Sequence, residues 1–352
     1  MTQKAQYRII DANFNRAREA LRVVEEYCRF VLNSPDLTAR TKQIRHKLAG
    51  AILTFDAGKL LACRDTIGDV GTTTRVAGQL KRTDLNDCLT AGSKRIVEAL
   101  RALAEVIQTE DPQLAQSIET LRYQCYTLEK DIAIRGIPAE KYRRVRLYVL
   151  ITSNLEEEVL PLVDQCTRGG ADCIQLRCKH ITDRGFLELA KRFVAQCKSH
   201  NTLSIINDRV DIAVAAQADG VHLGLDDISI DDARMLQCEP LIFGLTTHNA
   251  NELDQACAEN PTYAALGPAY ASETKPGLPC ADPDFIRNGV ETLQKHGLGH
   301  VVIGGINHTR VNELLGLGVR TIAVCSNVCN SHDPEEACRC LSSMLKNRST
   351  DQ

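Results

Sequence analysis

From residue 146 onward, short apolar runs alternate eight times with helical patterns, and this alternation constrains the fold more than any other feature of the chain. The runs are RLYVLITS (146–153), CIQLRCK (173–179), LSIINDR (203–209), GVHLG (220–224), LIFGLTT (241–247), YAALGPAY (263–270), HVVIGGI (300–306) and RTIAVCSN (320–327). Each is nearly continuous in apolar residues, as expected of parallel strands covered on both faces. Helical candidates lie between them at 156–168, 183–199, 249–259 and 307–316. Eight β-α units in roughly 200 residues match the lower end of a closed (β/α)8 TIM barrel. A doubly wound open sheet is the alternative, but it does not require eight units of such even length.

The first part of the chain follows different rules. ANFNRAREALRVVEEYCRFVL places Phe14, Ala17, Leu21, Val24, Tyr27, Cys28 and Val31 at helical steps. Its wording recurs: Asn15-Arg16, Glu19-Ala20-Leu21-Arg22 matches Lys94-Arg95, Glu98-Ala99-Leu100-Arg101. A further helical tag follows each copy, Ile44-Arg45-His46 and Leu121-Arg122-Tyr123. The reading is a duplicated helical hairpin, hence a four-helix arrangement. CRDTIGDVGTTTR (63–75) between the copies reads as a loop. Arg16, Glu19, Arg22 and their repeat mates could hold an anion, but salt-bridged helix faces are the favoured explanation. RGIPAEKYRRVR (135–146) carries Gly136, Pro138 and five basic residues and reads as a linker. The expected organisation is therefore an all-α domain at 1–135, a linker at 136–145 and a barrel at 146–352.

In such a barrel the strand C-termini meet at one mouth. Asp208 closes the third strand and Asp227 follows the fourth. Neighbouring strands lie about 4.8 Å apart, so both carboxylates can reach one point. There they need a cation, a shared proton or water, and Mg²⁺ completed by substrate phosphate is the usual solution. Helix capping is the plainer role for each Asp, Asp226 included, taken alone. Alternation along the second strand directs Gln175, Arg177 and Lys179 to the barrel axis, and two cations there need an anion. After the sixth strand, Ser272, Thr274 and Lys275 lie in a long loop suited to closing over phosphates. Gly304, Gly305 and Ser326 follow strands seven and eight, where barrels commonly hold a phosphate on backbone N–H groups. One anion site thus suits a pyrophosphate and the other a monophosphate, the pattern of a condensing transferase.

Net charge of −3 gives no basic field for nucleic acid. No apolar run approaches a membrane span, and the N-terminus lacks a secretory apolar core, so a cytoplasmic protein is expected. The fifteen cysteines include no C-x-x-C pair and read as small core hydrophobes in a reducing compartment.

At the mouth residues the chain resembles the thiamine-phosphate synthase family. The matching elements are Q-x-R-x-K (175–179), N-D (207–208), D-G-x-H-x-G-x-x-D (219–227), G-x-[ST]-x-H (244–248), G-P-x-[FY]-x-[ST]-x-T-K (267–275), I-G-G-I (303–306) and V-x-S (324–326), in family order. The helical part resembles the extension on cyanobacterial-type members and implies no known chemistry. The resemblance implies condensation of 4-amino-5-hydroxymethyl-2-methylpyrimidine diphosphate with 4-methyl-5-(2-phosphoethyl)thiazole, or its carboxylate, to thiamine phosphate and pyrophosphate. It implies one Mg²⁺ on Asp208 and Asp227, and diphosphate binding by Arg177, Lys179, Asn207 and Lys275. Gln175 is implied beside the pyrimidine or diphosphate, and Thr246 near the departing oxygen. Ser272, Thr274, Gly304, Gly305 and Ser326 are implied to hold the thiazole phosphate. Leu225 departs from the family pattern, which has Gln there. Two other readings are a thiazole tautomerase of the same fold, which needs no paired Asp with a cation set, and a non-catalytic phospholigand-binding scaffold. A homo-oligomer or a protein partner engaged through the helical part is left open.

Overall fold

Why the first helix forms is visible in its buried face. In the computed structural model, which describes residues 3–71, 81–236, 239–271 and 277–346, helix α1 (Gln3–Glu26) turns Ile10, Ala17, Leu21 and Val24 inward. These positions repeat at three- and four-residue steps or their sums, the spacing of one helical face. It packs on α4 (Leu85–Ile107), its repeat mate, whose Ile96, Leu100, Leu103 and Ile107 are buried. Helices α2 (Pro35–Ile52) and α5 (Pro112–Asp131) complete four long helices, with the short α3 (Ala57–Cys63) against α1. The starts of α2 and α5 are chemically marked. Ser34 and Asp111 accept hydrogen bonds from first-turn N–H groups, and Pro35 and Pro112 stand where no backbone donor is required.

Of the repeated charges, Arg22 and its mate Arg101 form ion pairs. Arg22 and Arg45 both engage the buried Glu25, tying α1 to α2, and Arg101 and Arg122 both engage Glu119, tying α4 to α5. The duplicated tags therefore cross-brace the two hairpins. The core beneath them carries the stability. Leu100 is fully buried among the apolar residues of this unit, so Leu100→Ala is expected to cost about 2–5 kcal/mol, read from denaturant unfolding of the full chain.

The chain divides into two compact units, Met1–Gly136 and Ile137–Gln352. In the second, β1 (Leu147–Thr152), β2 (Cys173–Arg177), β3 (Leu203–Asn207), β4 (Gly220–Leu223), β5 (Ile242–Thr247), β6 (Tyr263–Leu266), β7 (Gly299–Ile303) and β8 (Ile322–Val324) close into a parallel barrel in sequence order. Residues such as Val149, Ile174, Ile206, Val221, Phe243, Ala264 and Val302 point out to the helices and form the larger core. The alternate set fills the interior, with Tyr148, Cys173, Ile205, Ile242, Tyr263, Val301 and Ala323 among them.

The expected linker is corrected here. Residues Ile137–Arg143 form a helix, α6, and Tyr142 on it is buried within the interior cluster. Its ring stacks on Tyr263 with centroids 4.2 Å apart and planes 3° from parallel. Gly299 leaves room for this ring, since a Cβ there would lie 2.8 Å from it. Among the described residues no helix is long and apolar enough to cross a membrane, and the cysteines are free thiols, several of them buried.

Candidate functional site

A cavity of about 790 Å³ opens where the strands end. Gln175, Arg177, Asn207, Asp208, Asp227, Thr246, Gly304, Gly305 and Ser326 all line it, so nine of the residues singled out above share one space. Ser272, Thr274 and Lys275 lie outside the described residues. Lys179 does not follow the expected alternation, because β2 ends at Arg177. Lys179 instead sits exposed at the rim, its backbone N–H donating to Asn154 Oδ1 at 2.8 Å.

The floor of the diphosphate side is built from side chains that fix one another. Gln175 is buried, and its Nε2 donates to Asn207 Oδ1 at 3.3 Å. Asp208 follows in a left-handed conformation (φ 62°), tolerated by Asp better than by most residues, and its N–H donates to the His222 carbonyl at 2.8 Å. This turn sets its carboxyl beside that of Asp227. Asp227 Oδ2 in turn accepts from the Gly224 N–H at 2.6 Å, which pins the loop after β4.

Asp208, exposed at the mouth, and Asp227, partly buried, are like charges side by side and repel. Partial desolvation and the neighbouring Asp227 charge push the Asp208 carboxyl up to about 6, although Arg177 and Lys179 pull it down. Such a pair suits a divalent cation with oxygen ligands, which removes both penalties at once. Among the described residues no third His, Cys, Asp or Glu joins them, so a cation held there would take its remaining ligands from substrate oxygens and water.

A stability prediction follows for the metal-free protein. The folded carboxyl of Asp208 titrates higher than its ordinary value of 3.8, so the folded state holds the proton more tightly. Its effect is absent below about pH 4, grows as pH rises, and is a full destabilisation above about pH 6. Asp208→Asn is therefore expected to raise Tm more at pH 8 than at pH 4 in the presence of a chelator. Equal shifts at both pH values would contradict the repulsion.

On the opposite side, Gly304 (φ 109°) and Gly305 (φ 57°) adopt backbone conformations that side chains resist. A Cβ on Gly304 would lie 2.5 Å from Pro268 Cβ, and one on Gly305 would lie 2.4 Å from the Ala271 carbonyl. Arg310 hydrogen-bonds the Gly305 carbonyl and stacks 4.4 Å over the Tyr270 ring, holding the loops after β6 and β7 together. Ser326 opens a short helical turn after β8 and faces the same cavity.

Sequence reasoning assigned no role to His222, Tyr263, Tyr148 or His248. His222 Nε2 lies 3.0 Å from Thr246 Oγ1 and its Nδ1 3.1 Å from Tyr263 OH, which lies 2.9 Å from Tyr148 OH. His248 Nδ1 donates to the Gly267 carbonyl at 2.6 Å. Both histidines stand in the motifs quoted above, which was the available signal. Their partners come from other strands and cannot be read from spacing. Leu225 is exposed at the mouth and lines the cavity.

The family model described as thiamine monophosphate synthase matches residues 147–328, and that of the ThiD2 family matches residues 8–131. The thiamine-phosphate synthase of Nostoc sp. is 37% identical over 97% of this chain and 95% of its own length. That of Synechocystis sp. is 36% identical over 94% of this chain and 93% of its own. Among solved structures, the thiamine phosphate pyrophosphorylase of Pyrococcus furiosus is 30% identical and covers 58% of this chain and 96% of its own, with a TM-score of 0.52. The chain belongs to the thiamine monophosphate synthase family.

Proposed function

We infer that this protein is a transferase that joins 4-amino-5-hydroxymethyl-2-methylpyrimidine diphosphate to 4-methyl-5-(2-phosphoethyl)thiazole, or its carboxylate, releasing pyrophosphate and thiamine phosphate. Family membership across nearly the whole chain supports the reaction. The observation that carries the site is the contact between Asp208 and Asp227 beside Arg177 in a cavity whose far wall is the Gly304-Gly305 turn. The barrel, residues 146–352, is the proposed seat of catalysis, at work in the cytoplasm.

In this reading Asp208 and Asp227 would hold one Mg²⁺, and that ion would supply positive charge to the diphosphate. Arg177, Asn207, Lys275 and, from the rim, Lys179 bind the same group, with Gln175 holding Asn207 in place. The bond between the pyrimidine methylene carbon and the bridging oxygen breaks, and its electron pair leaves with the diphosphate. The thiazole nitrogen then gives its lone pair to that carbon. No base has to remove a proton from the attacking nitrogen, so the protein's task is electrostatic and positional. Thr246 donates to the departing oxygen. Ser272, Thr274, Ser326 and the backbone at Gly304 and Gly305 hold the thiazole phosphate, where N–H groups without side chains nearby permit close approach.

The test is pyrophosphate release by the full chain. It is expected only with both substrates and Mg²⁺ present. Isomerisation of a thiazole carboxylate without any diphosphate would support the tautomerase instead, and binding without turnover the scaffold. Arg177→Ala should raise KM for the diphosphate about tenfold or more and leave KM for the thiazole phosphate near its original value, since one charge-assisted contact is worth about 1.5–3 kcal/mol.

A further inference from the structure

We propose that His222 is a positioning residue that orients the Thr246 hydroxyl toward the departing oxygen, acting through a hydrogen-bond relay anchored in the barrel interior. The inference rests on the role of Thr246 given above.

The relay crosses the barrel. Tyr148 on β1 meets Tyr263 on β6, Tyr263 meets His222 on β4, and His222 meets Thr246 on β5 at the cavity wall. Its polarity follows from burial. Tyr148 is only 2% exposed, and Tyr263 is its hydrogen-bond partner. If Thr246 donated to His222 and the chain ran downward, the last proton would sit on Tyr148 OH, nearly fully buried and without an acceptor among the described residues, a cost of about 1–3 kcal/mol. Running upward, Tyr148 donates to Tyr263, Tyr263 donates to Nδ1 of His222, and Nε2–H of His222 donates to Thr246 Oγ1. Every buried donor of the relay then has an acceptor. The hydroxyl proton of Thr246 is left to point into the cavity, where a leaving-group oxygen can accept it. His222 is held as the Nε2–H tautomer by Tyr263, the kind of outer support that fixes which ring nitrogen carries the proton.

The surrounding packing is shaped to this relay. Gly244 sits in register between His222 on β4 and Tyr263 on β6. A Cβ there would lie 2.2 Å from Tyr263 Cζ, 2.4 Å from its hydroxyl and 2.6 Å from His222 Nδ1. The space a side chain would fill is the space the hydrogen bond uses. From below, Tyr142 stacks flat on Tyr263, and from the side the His222 ring lies 5.7 Å away and 23° from parallel. Tyr263 is thus clamped between two rings.

A comparison of His222→Gln, His222→Asn and Thr246→Val with the double variants tests the relay. The amide nitrogen of Gln reaches the place of Nε2, whereas Asn reaches only that of Nδ1. Asn would serve a merely structural role by keeping the Tyr263 contact. The expected result is a fall in kcat of about tenfold or more for His222→Asn, with KM for the diphosphate little changed and a clearly smaller fall for His222→Gln. In the Thr246→Val background, His222→Asn should cost nothing further, because the two act as one unit. Independent, multiplying losses, or Asn outperforming Gln, would overturn the relay. If Thr246→Val alone left kcat unchanged, the role of Thr246 in the reaction would fail and the relay with it. Urea unfolding of each variant identifies losses that are failures to fold.

Discussion

Asp227→Ala is expected to lower turnover by about 10²–10³-fold, the size of losing a few kcal/mol of charge stabilisation at the leaving group. The geometry behind this is specific. Asp227 is one of two carboxylates in contact at the mouth, and Asp208 alone offers a single protein ligand. Folding should survive, because the substitution removes the like charge that, after desolvation, raises the Asp208 carboxyl. One complication is the Gly224 N–H, which loses its acceptor and frees the loop after β4. Asp227→Asn separates the effects, since the amide oxygen can still accept from Gly224 while the charge is gone. Both variants should lose Mg²⁺-dependent activity. If Asp227→Asn kept near-normal turnover, Asp227 would serve the loop and not a metal.

Gly304→Ala is the second large effect. The backbone there stands at φ 109°, and a Cβ would lie 2.5 Å from Pro268 Cβ and 2.6 Å from its Cα. These are parts of a ring and a main chain, so no flexible side chain can yield. A strained backbone of this kind costs about 1–3 kcal/mol, and the turn after β7 would have to move to relieve it. Steady-state kinetics with each substrate varied should show KM for the thiazole phosphate rising about tenfold or more, with KM for the pyrimidine diphosphate much less affected. Equal rises in both would mean that the turn supports the whole mouth and not one phosphate.

Much of this architecture is legible in the chain because parallel barrel strands are buried on both faces and so write themselves as unbroken apolar runs. The mouth is legible because polar residues at strand ends stand out against such runs, as Asn207-Asp208 does. Composition misleads at 136–145. Gly136, Pro138 and a cluster of basic residues resemble a linker, yet α6 forms and sends Tyr142 into the interior. One aromatic ring among charges carries no periodic signal. Lys179 was placed by alternation, which holds only while the strand lasts, and β2 stops at Arg177. The relay from Tyr148 to Thr246 is illegible for another reason. Its members come from four strands, and their contacts depend on the register of β4, β5 and β6 and on barrel closure. No local pattern encodes that closure.

In the proposed reaction Asp208 and Asp227 would jointly hold the cation that accompanies pyrophosphate. Crystals of the full chain grown with Mn²⁺ in place of Mg²⁺ and soaked with pyrophosphate test it by anomalous scattering. One peak is expected between the two carboxylates, in contact with phosphate oxygens. A pyrophosphate bound in the cavity with its metal distant from both aspartates would contradict it.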